Sequence, residues 1–130
     1  MSYKDLSVLI VDDFATMRRI VRNIVRELDF KEIVEAQDGR DAVGVLESRK
    51  IDLILSDWNM PNMNGLELLK WVRSNETTRD VFFLMITAEG QPDNVVEAVK
   101  AKVNNYIIKP FTAATLAEKL QKVIPKERQG

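Results

Sequence analysis

Apolar residues gather in five short runs, at 7–11, 32–36, 52–55, 81–86 and 106–108, rich in valine, isoleucine and phenylalanine. Each reads as a strand. The first, third and fourth runs are nearly continuously apolar, as strands covered on both faces are, whereas Glu32 and Glu35 mark the second as a more exposed edge. Helical spacing fills the intervals. Met17, Ile20, Val21, Ile24, Val25 and Leu28 form one apolar stripe at i, i+3, i+4, i+7, i+8 and i+11, with Arg18, Arg19, Arg22 and Arg26 on the opposite face.

A second helix is predicted over 39–48, capped by Asp38, and a third over 64–74, capped by Asn64, with Leu66, Leu69 and Val72 inward. The fourth begins near Pro92, a residue suited to a first helical turn. The fifth starts at Thr112 as N-cap, places Leu116, Leu120 and Val123 inward and stops at Pro125, leaving a polar tail after Ile124. Strand and helix alternate five times with no repeat, low-complexity tract or linker. The expected architecture is α/β, one parallel sheet with helices on both faces, as a single domain over 1–130 with no effector domain.

Composition narrows the function. The chain has 130 residues, 45% hydrophobic and 30% charged, enough for one sizeable core and no second domain. Nineteen basic against twenty acidic side chains argue against broad attraction to nucleic acid or anionic membrane. With no cysteine and no histidine, thiolate and imidazole metal sites are excluded, so any metal is held by oxygen. Neither a signal peptide nor a membrane-length apolar run is evident, which makes the cytoplasm the expected location.

The candidate chemistry lies where the strands end. Asp12 and Asp13 follow the first strand, Asp57 the third, Thr87 the fourth and Lys109 the fifth, all on the carboxyl rim where open α/β sheets place ligands. Loops are polar anyway, so each residue alone signals little. Together, three carboxylates, a hydroxyl and an ammonium suit a divalent cation plus a phosphoryl group. Mg2+ prefers carboxylate, carbonyl and water oxygens, which Asp13, Asp57 and the backbone near Asn59 offer, with Asp12 behind them or bridging through water. Asp57, the single acid opposite the pair, is the best candidate nucleophile; Thr87 and Lys109 would stabilise the phosphoryl oxygens.

These residues carry a resemblance. Asp12-Asp13, Asp57, Thr87 and Lys109-Pro110 match in identity and spacing the receiver domains of two-component response regulators, over nearly the whole chain. The stretches 11–14, 16–23, 57–63 and 109–116 narrow it to single-domain chemotaxis regulators. The resemblance implies a flavodoxin-like fold with strand order 2-1-3-4-5 and a phosphoacceptor rather than an enzyme. Asp57 would take its phosphoryl group from a sensor histidine kinase and lose it by self-catalysed hydrolysis.

It further implies Mg2+ held by Asp13, Asp57 and the Asn59 carbonyl. Thr87 would move toward the phosphate and Tyr106 inward after it, Lys109-Pro110 would be cis, and Asn59 and Glu89 would modulate phosphate lifetime. The readout surface would be the fourth helix, fifth strand and fifth helix, through Val95, Val99, Tyr106, Ile108 and Lys119. Its implied partner is the flagellar motor switch protein, with a phosphatase as a further one and the regulator itself a monomer. Lys102 stands where the family often has glycine, so the fourth helix is expected to end differently, with Asn104 and Asn105 taking over the turn.

Rival readings are weaker. A haloacid-dehalogenase-type phosphatase needs a second acid two residues after its nucleophile, where this chain has Asn59. Gly39 to Gly44 has P-loop glycine spacing but continues Val45-Leu46, with no phosphate-binding lysine. No recognition module for DNA follows Ile124. A phosphate sink and a receiver of a pili-type pathway stay open.

Overall fold

A computed structural model describes residues 3–88 and 92–128, with side chains from residue 95 onward in the second stretch. Five strands, β1 (Tyr3–Val11), β2 (Phe30–Ala36), β3 (Leu53–Asp57), β4 (Phe82–Thr87) and β5 (Asn105–Ile108), alternate with five helices. These are α1 (Ala15–Arg26), α2 (Gly39–Ser48), α3 (Gly65–Ser74), α4 (Pro92–Lys100) and α5 (Ala113–Val123); a 3-10 turn, Lys126–Arg128, follows. All strands are parallel, in the order β2-β1-β3-β4-β5. This is the flavodoxin-like arrangement, with β2 and β5 at the edges.

Alternation along each strand divides the core in two. Val8, Ile10, Leu53, Leu55, Leu84 and Ile86 face Val21 and Val25 of α1 and Leu116 and Leu120 of α5. Their neighbours Leu9, Val11, Ile54, Phe83 and Met85 face Ala42 and Leu46 of α2 and Leu68, Leu69 and Val72 of α3. Strands buried on both sides cannot alternate apolar with polar, which is why these runs read as continuously hydrophobic.

The elements differ from the sequence reading where packing overrides local pattern. β1 starts at Tyr3, because an irregularity before Ser7 turns both Lys4 and Asp5 outward while Tyr3 is buried and stacks on Phe30 at 5.0 Å. Ile20 is 47% exposed and does not join the core. Val21 and Val25 face the sheet, and at about 100° per residue Ile20 lies roughly 100–140° away from them.

In α3 the buried stripe is Gly65, Leu68, Leu69 and Val72, so Leu68 takes the inward place expected of Leu66. The polar tail is anchored at Arg128. Arg128 bonds Asp52 at 2.9 Å and lies over the Phe82 ring, closing the lower edge of β3 and β4.

α4 ends with Lys102 itself in the left-handed region, at φ 66°, and not with Asn104 or Asn105. Lys102 N–H donates to Val99 and Val103 N–H to Ala98, the paired bonds of a Schellman cap. A side chain there costs about 1–2 kcal/mol that glycine would not. The asparagines serve otherwise: Asn104 Oδ1 accepts from Phe83 N and from Arg73, and Asn105 Oδ1 from Tyr106 N. Arg73 also donates to the Lys102, Arg79 and Val81 carbonyls, tying this turn to the end of α3.

Candidate functional site

Strand register builds the site. Val11 pairs with Ser56 and Asp57 with Ile86, so Asp12 leaves β1 level with Asp57 at the end of β3. Asp57 and Thr87 are the last residues of their strands, not the first of the loops, so the sheet ladder holds their backbones. Thr87 is half-buried, and its carbonyl accepts from Lys109 N at 2.8 Å. The Lys109–Pro110 peptide is cis.

Carboxylate oxygens of Asp12, Asp13 and Asp57 lie within 4.8 Å of one another. Lys109 Nζ sits between two of them, 3.3 Å from Asp12 Oδ2 and 3.2 Å from Asp57 Oδ1. Asp12 is buried and spends its other oxygen on Phe14 N–H, while Asp13 is exposed. Asp57 Oδ1 also accepts from Trp58 N–H, so both of these bonds fall on the same carboxylate oxygen.

Burial pushes the Asp57 carboxyl above its ordinary value, and the Asp12 charge adds to this; Lys109 and the Trp58 N–H pull the other way without prevailing. One ammonium balances one of three carboxylates. A divalent cation would balance the other two, and the donor set, all carboxylate oxygen on an open rim, fits a hard ion such as Mg2+. Asn59 lies two residues past Asp57 with its side chain exposed, and Glu89 lies outside the described residues.

Three features of the site escaped the sequence reading. Gly65 begins α3 directly under Asp57: a Cβ there would collide with the Asp57 carbonyl oxygen and come within 2.8 Å of Met85 Sδ. Its N–H donates to the Trp58 carbonyl, closing the loop after Asp57. Asn62, at φ 66°, donates to Asp38 Oδ2, and Gly39 N–H donates to the Met63 carbonyl, fastening the same loop to the start of α2. Arg18 and Arg22, placed by sequence on the polar face of α1, both pair with Glu35, and Arg18 reaches the Asp12 carbonyl. Asn62 followed by Met-Asn-Gly was a loop signal in the sequence, but close approach of Gly65 to a strand carbonyl is visible only in three dimensions.

Away from the rim, Val99 and Ile108 are 61% and 47% exposed, Val95 is half-buried, and Lys119 Nζ lies 5.5 Å above the half-buried Tyr106 ring. Val96, beside them on α4, is 50% exposed and was not singled out from sequence. Exposed valines on adjacent turns give this face an apolar character unusual for a solvated helix.

Five parallel strands in this order, with an acid cluster and a lysine on the carboxyl rim, define a receiver-type α/β domain. Residues 8–121 match the response regulator receiver domain family. The chain belongs to that family. It is 50% identical over 123 residues to chemotaxis protein CheY-3 of Vibrio cholerae, covering 95% of each chain. It is 46% identical over 121 residues to chemotaxis protein CheY of Pseudomonas aeruginosa, covering 93% of this chain and 98% of that one. Among solved structures it resembles V. cholerae CheY4, with a TM-score of 0.85 at 34% identity over 92% of this chain and 98% of that one. It also resembles the receiver domain of the P. aeruginosa sensor histidine kinase PA1611, described with a magnesium ion in its active site cleft. There the TM-score is 0.82 at 28% identity, covering 92% of this chain and 97% of that one. The chain is thus a CheY-like receiver domain of a response regulator. No helix among the described residues is long and apolar enough to cross a membrane.

Proposed function

We propose that this receiver is a chemotaxis response regulator that accepts a phosphoryl group on Asp57 from a sensor kinase phosphohistidine and signals to the flagellar motor switch. One observation carries the reading: Lys109 bridges Asp12 and Asp57 inside a cluster of three carboxylates, in a chain similar to chemotaxis proteins along nearly its whole length. Asp13, Asp57 and the Asn59 carbonyl are the residues that would hold Mg2+, with Asp12 supporting them. When bound, the ion neutralises carboxylate charge and the charge on phosphoryl oxygens.

Asp57 Oδ2 attacks phosphorus; the bond from phosphorus to the donor imidazole nitrogen breaks, and its electron pair leaves with that nitrogen, which regains a proton. Lys109, already bonded to Oδ1, stays beside the phosphate and offsets its charge. Thr87, one residue beyond the Asp57 level of the sheet, supplies a hydroxyl to a phosphoryl oxygen. Its displacement makes room for the Tyr106 ring to turn inward, altering the face formed by Val95, Val99, Ile108 and Lys119. Asn59, two residues past Asp57, would modulate phosphate lifetime, a role that the resemblance gives to Glu89 as well. The chain thus acts as a self-modifying phosphoacceptor, in the cytoplasm and as a monomer, with a phosphatase as an additional partner.

The test is incubation with a small acyl phosphate and Mg2+, following Trp58 fluorescence and intact mass. A Mg2+-dependent phosphoryl mass gain that disappears in Asp57→Asn supports the reading; no gain in the parent protein defeats it. Pull-down on motor switch peptides then separates a motor regulator from a phosphate sink or a pili-type receiver. Val99→Arg should keep the mass gain and lose the pull-down, and undiminished capture would remove this face from the account.

A further inference from the structure

Arg18 lies one helical turn past the acid pair, and its guanidinium is committed at both ends. Nη1 donates to the Asp12 carbonyl at 2.6 Å, and Nε donates to Glu35 Oε1 at 3.1 Å. Glu35 is held in turn by Arg22 Nη1 at 2.9 Å through its other oxygen. The paired register of β1 with both neighbours ends at Val11, so the Asp12 carbonyl has passed the last strand pair when Arg18 takes it.

That carbonyl belongs to the planar peptide whose other end is the Asp13 nitrogen and Cα. Fixing its plane fixes where Asp13 N and Cα lie, and so limits the directions in which the Asp13 side chain can leave the backbone to rotation about the N–Cα bond. The Asp12 carboxylate is already held by Phe14 N–H and Lys109, whereas Asp13 is exposed. Arg18 is only 20% exposed, and its bond to the carbonyl is short and charge-assisted, unlike an ordinary surface ion pair.

We infer that Arg18 is a positioning residue for the cation site: braced by Glu35 on the edge strand, it holds the Asp12–Asp13 peptide so that Asp13 is aimed at the rim. This rests on the Mg2+ reading of the site given above. The sign of the effect separates positioning from charge. By Coulomb's law alone, deleting a cation beside a cation site strengthens Mg2+ binding. Loss of positioning weakens it, by about ten-fold for an outer partner of a metal ligand.

Calorimetric titration of Mg2+ into the full chain reads this directly, with far-UV circular dichroism checking the fold of each variant. Arg18→Ala should bind Mg2+ about ten-fold more weakly, with Arg18→Lys between it and the parent because one donor replaces a fork. Glu35→Gln should weaken binding in the same direction but less. Arg49→Ala, which breaks the Arg49–Glu32 pair on the same edge strand at 3.0 Å, should leave Mg2+ affinity unchanged. Unchanged or tighter binding in Arg18→Ala, or an equal loss in Arg49→Ala, overturns the inference while leaving the receiver reading intact. Absence of Mg2+ binding in the parent protein overturns both.

Discussion

Replacing Asp57 with asparagine keeps the shape of the side chain and removes one charge from the acid cluster. At an effective dielectric near 20, the 3.2 Å contact with Lys109 attracts by about 5 kcal/mol. Repulsion from Asp12, whose oxygen lies within 4.8 Å, is at least about 3.5 kcal/mol on the same scale. Asp13 adds about 1 kcal/mol or less, because it is exposed and screened. These charge terms nearly cancel. What remains is the desolvation of a carboxylate in a half-buried position, part of the several kcal/mol that full burial costs. The raised Asp57 carboxyl agrees in direction, since burial is its largest cause.

Asp57→Asn is therefore expected to stabilise the metal-free protein by about 1 kcal/mol at pH 7, a rise of roughly 4 °C in Tm for a domain of this size. The pH dependence has a definite sign. A carboxyl raised in the folded state is protonated in both states below its unfolded pKa, where parent and variant should be equally stable. The gap opens as pH rises past that value and is complete above the raised folded pKa. Mg2+ should reverse the order, because the parent gains about 2.7 kcal/mol at a hundred-fold excess over Kd and the variant lacks one ligand. Urea titrations followed by far-UV circular dichroism, in chelator and in Mg2+ across pH 3–8, measure all three effects. An asparagine variant less stable than the parent in chelator at pH 7, or a gap that does not change with pH, would refute the account of the site as a charge cluster awaiting a cation.

Gly65→Ala forces a methyl against the Asp57 carbonyl and Met85, so a loss of about 1–3 kcal/mol and slower acyl-phosphate modification are expected together; a normal modification rate would show that the α3 start does not set the nucleophile. Lys102→Gly removes the penalty of a left-handed lysine and should raise the urea midpoint by the equivalent of about 1 kcal/mol, whereas a drop would mean that the Schellman turn carries no such cost. Asn104→Ala strips an acceptor from both Phe83 N–H and the Arg73 guanidinium and should cost about 1–3 kcal/mol, with thermal melts unchanged from the parent as the contrary result.

Much of this protein is legible in its residues. Hydrophobic runs bounded by Asp38, Asn64 and Thr112 mark strands and caps because the cap hydrogen bonds are local: Asp38 accepts from Asp41 N, Asn64 exchanges bonds with Glu67, and Thr112 accepts from Thr115 N. The five polar residues at the strand ends point to the chemistry by type, since carboxylate oxygens suit a hard cation and a hydroxyl and an ammonium suit anionic oxygens. Periodicity does not fix how a helix is rotated on its sheet. That rotation follows from contacts many residues away, so Gly65 against Asp57 selects Leu68 over Leu66, and the arc of α1 that touches the sheet leaves Ile20 in solvent. The same holds for Lys102, which takes the turn that two asparagines were better suited to, because Val103 and Asn104 must reach Ala98 and Phe83.

By itself, then, the sequence determined the order of elements, the strand-end acids, Thr87 and Lys109, because these depend on side-chain type and local spacing. Only the tertiary structure decided that Asp12 and Asp57 stand level, that Lys109 bridges them, and that Arg18 reaches past the end of β1 to the Asp12 carbonyl. Those relations join residues up to 97 positions apart in the chain, and pairing register and burial, which no local pattern encodes, set them.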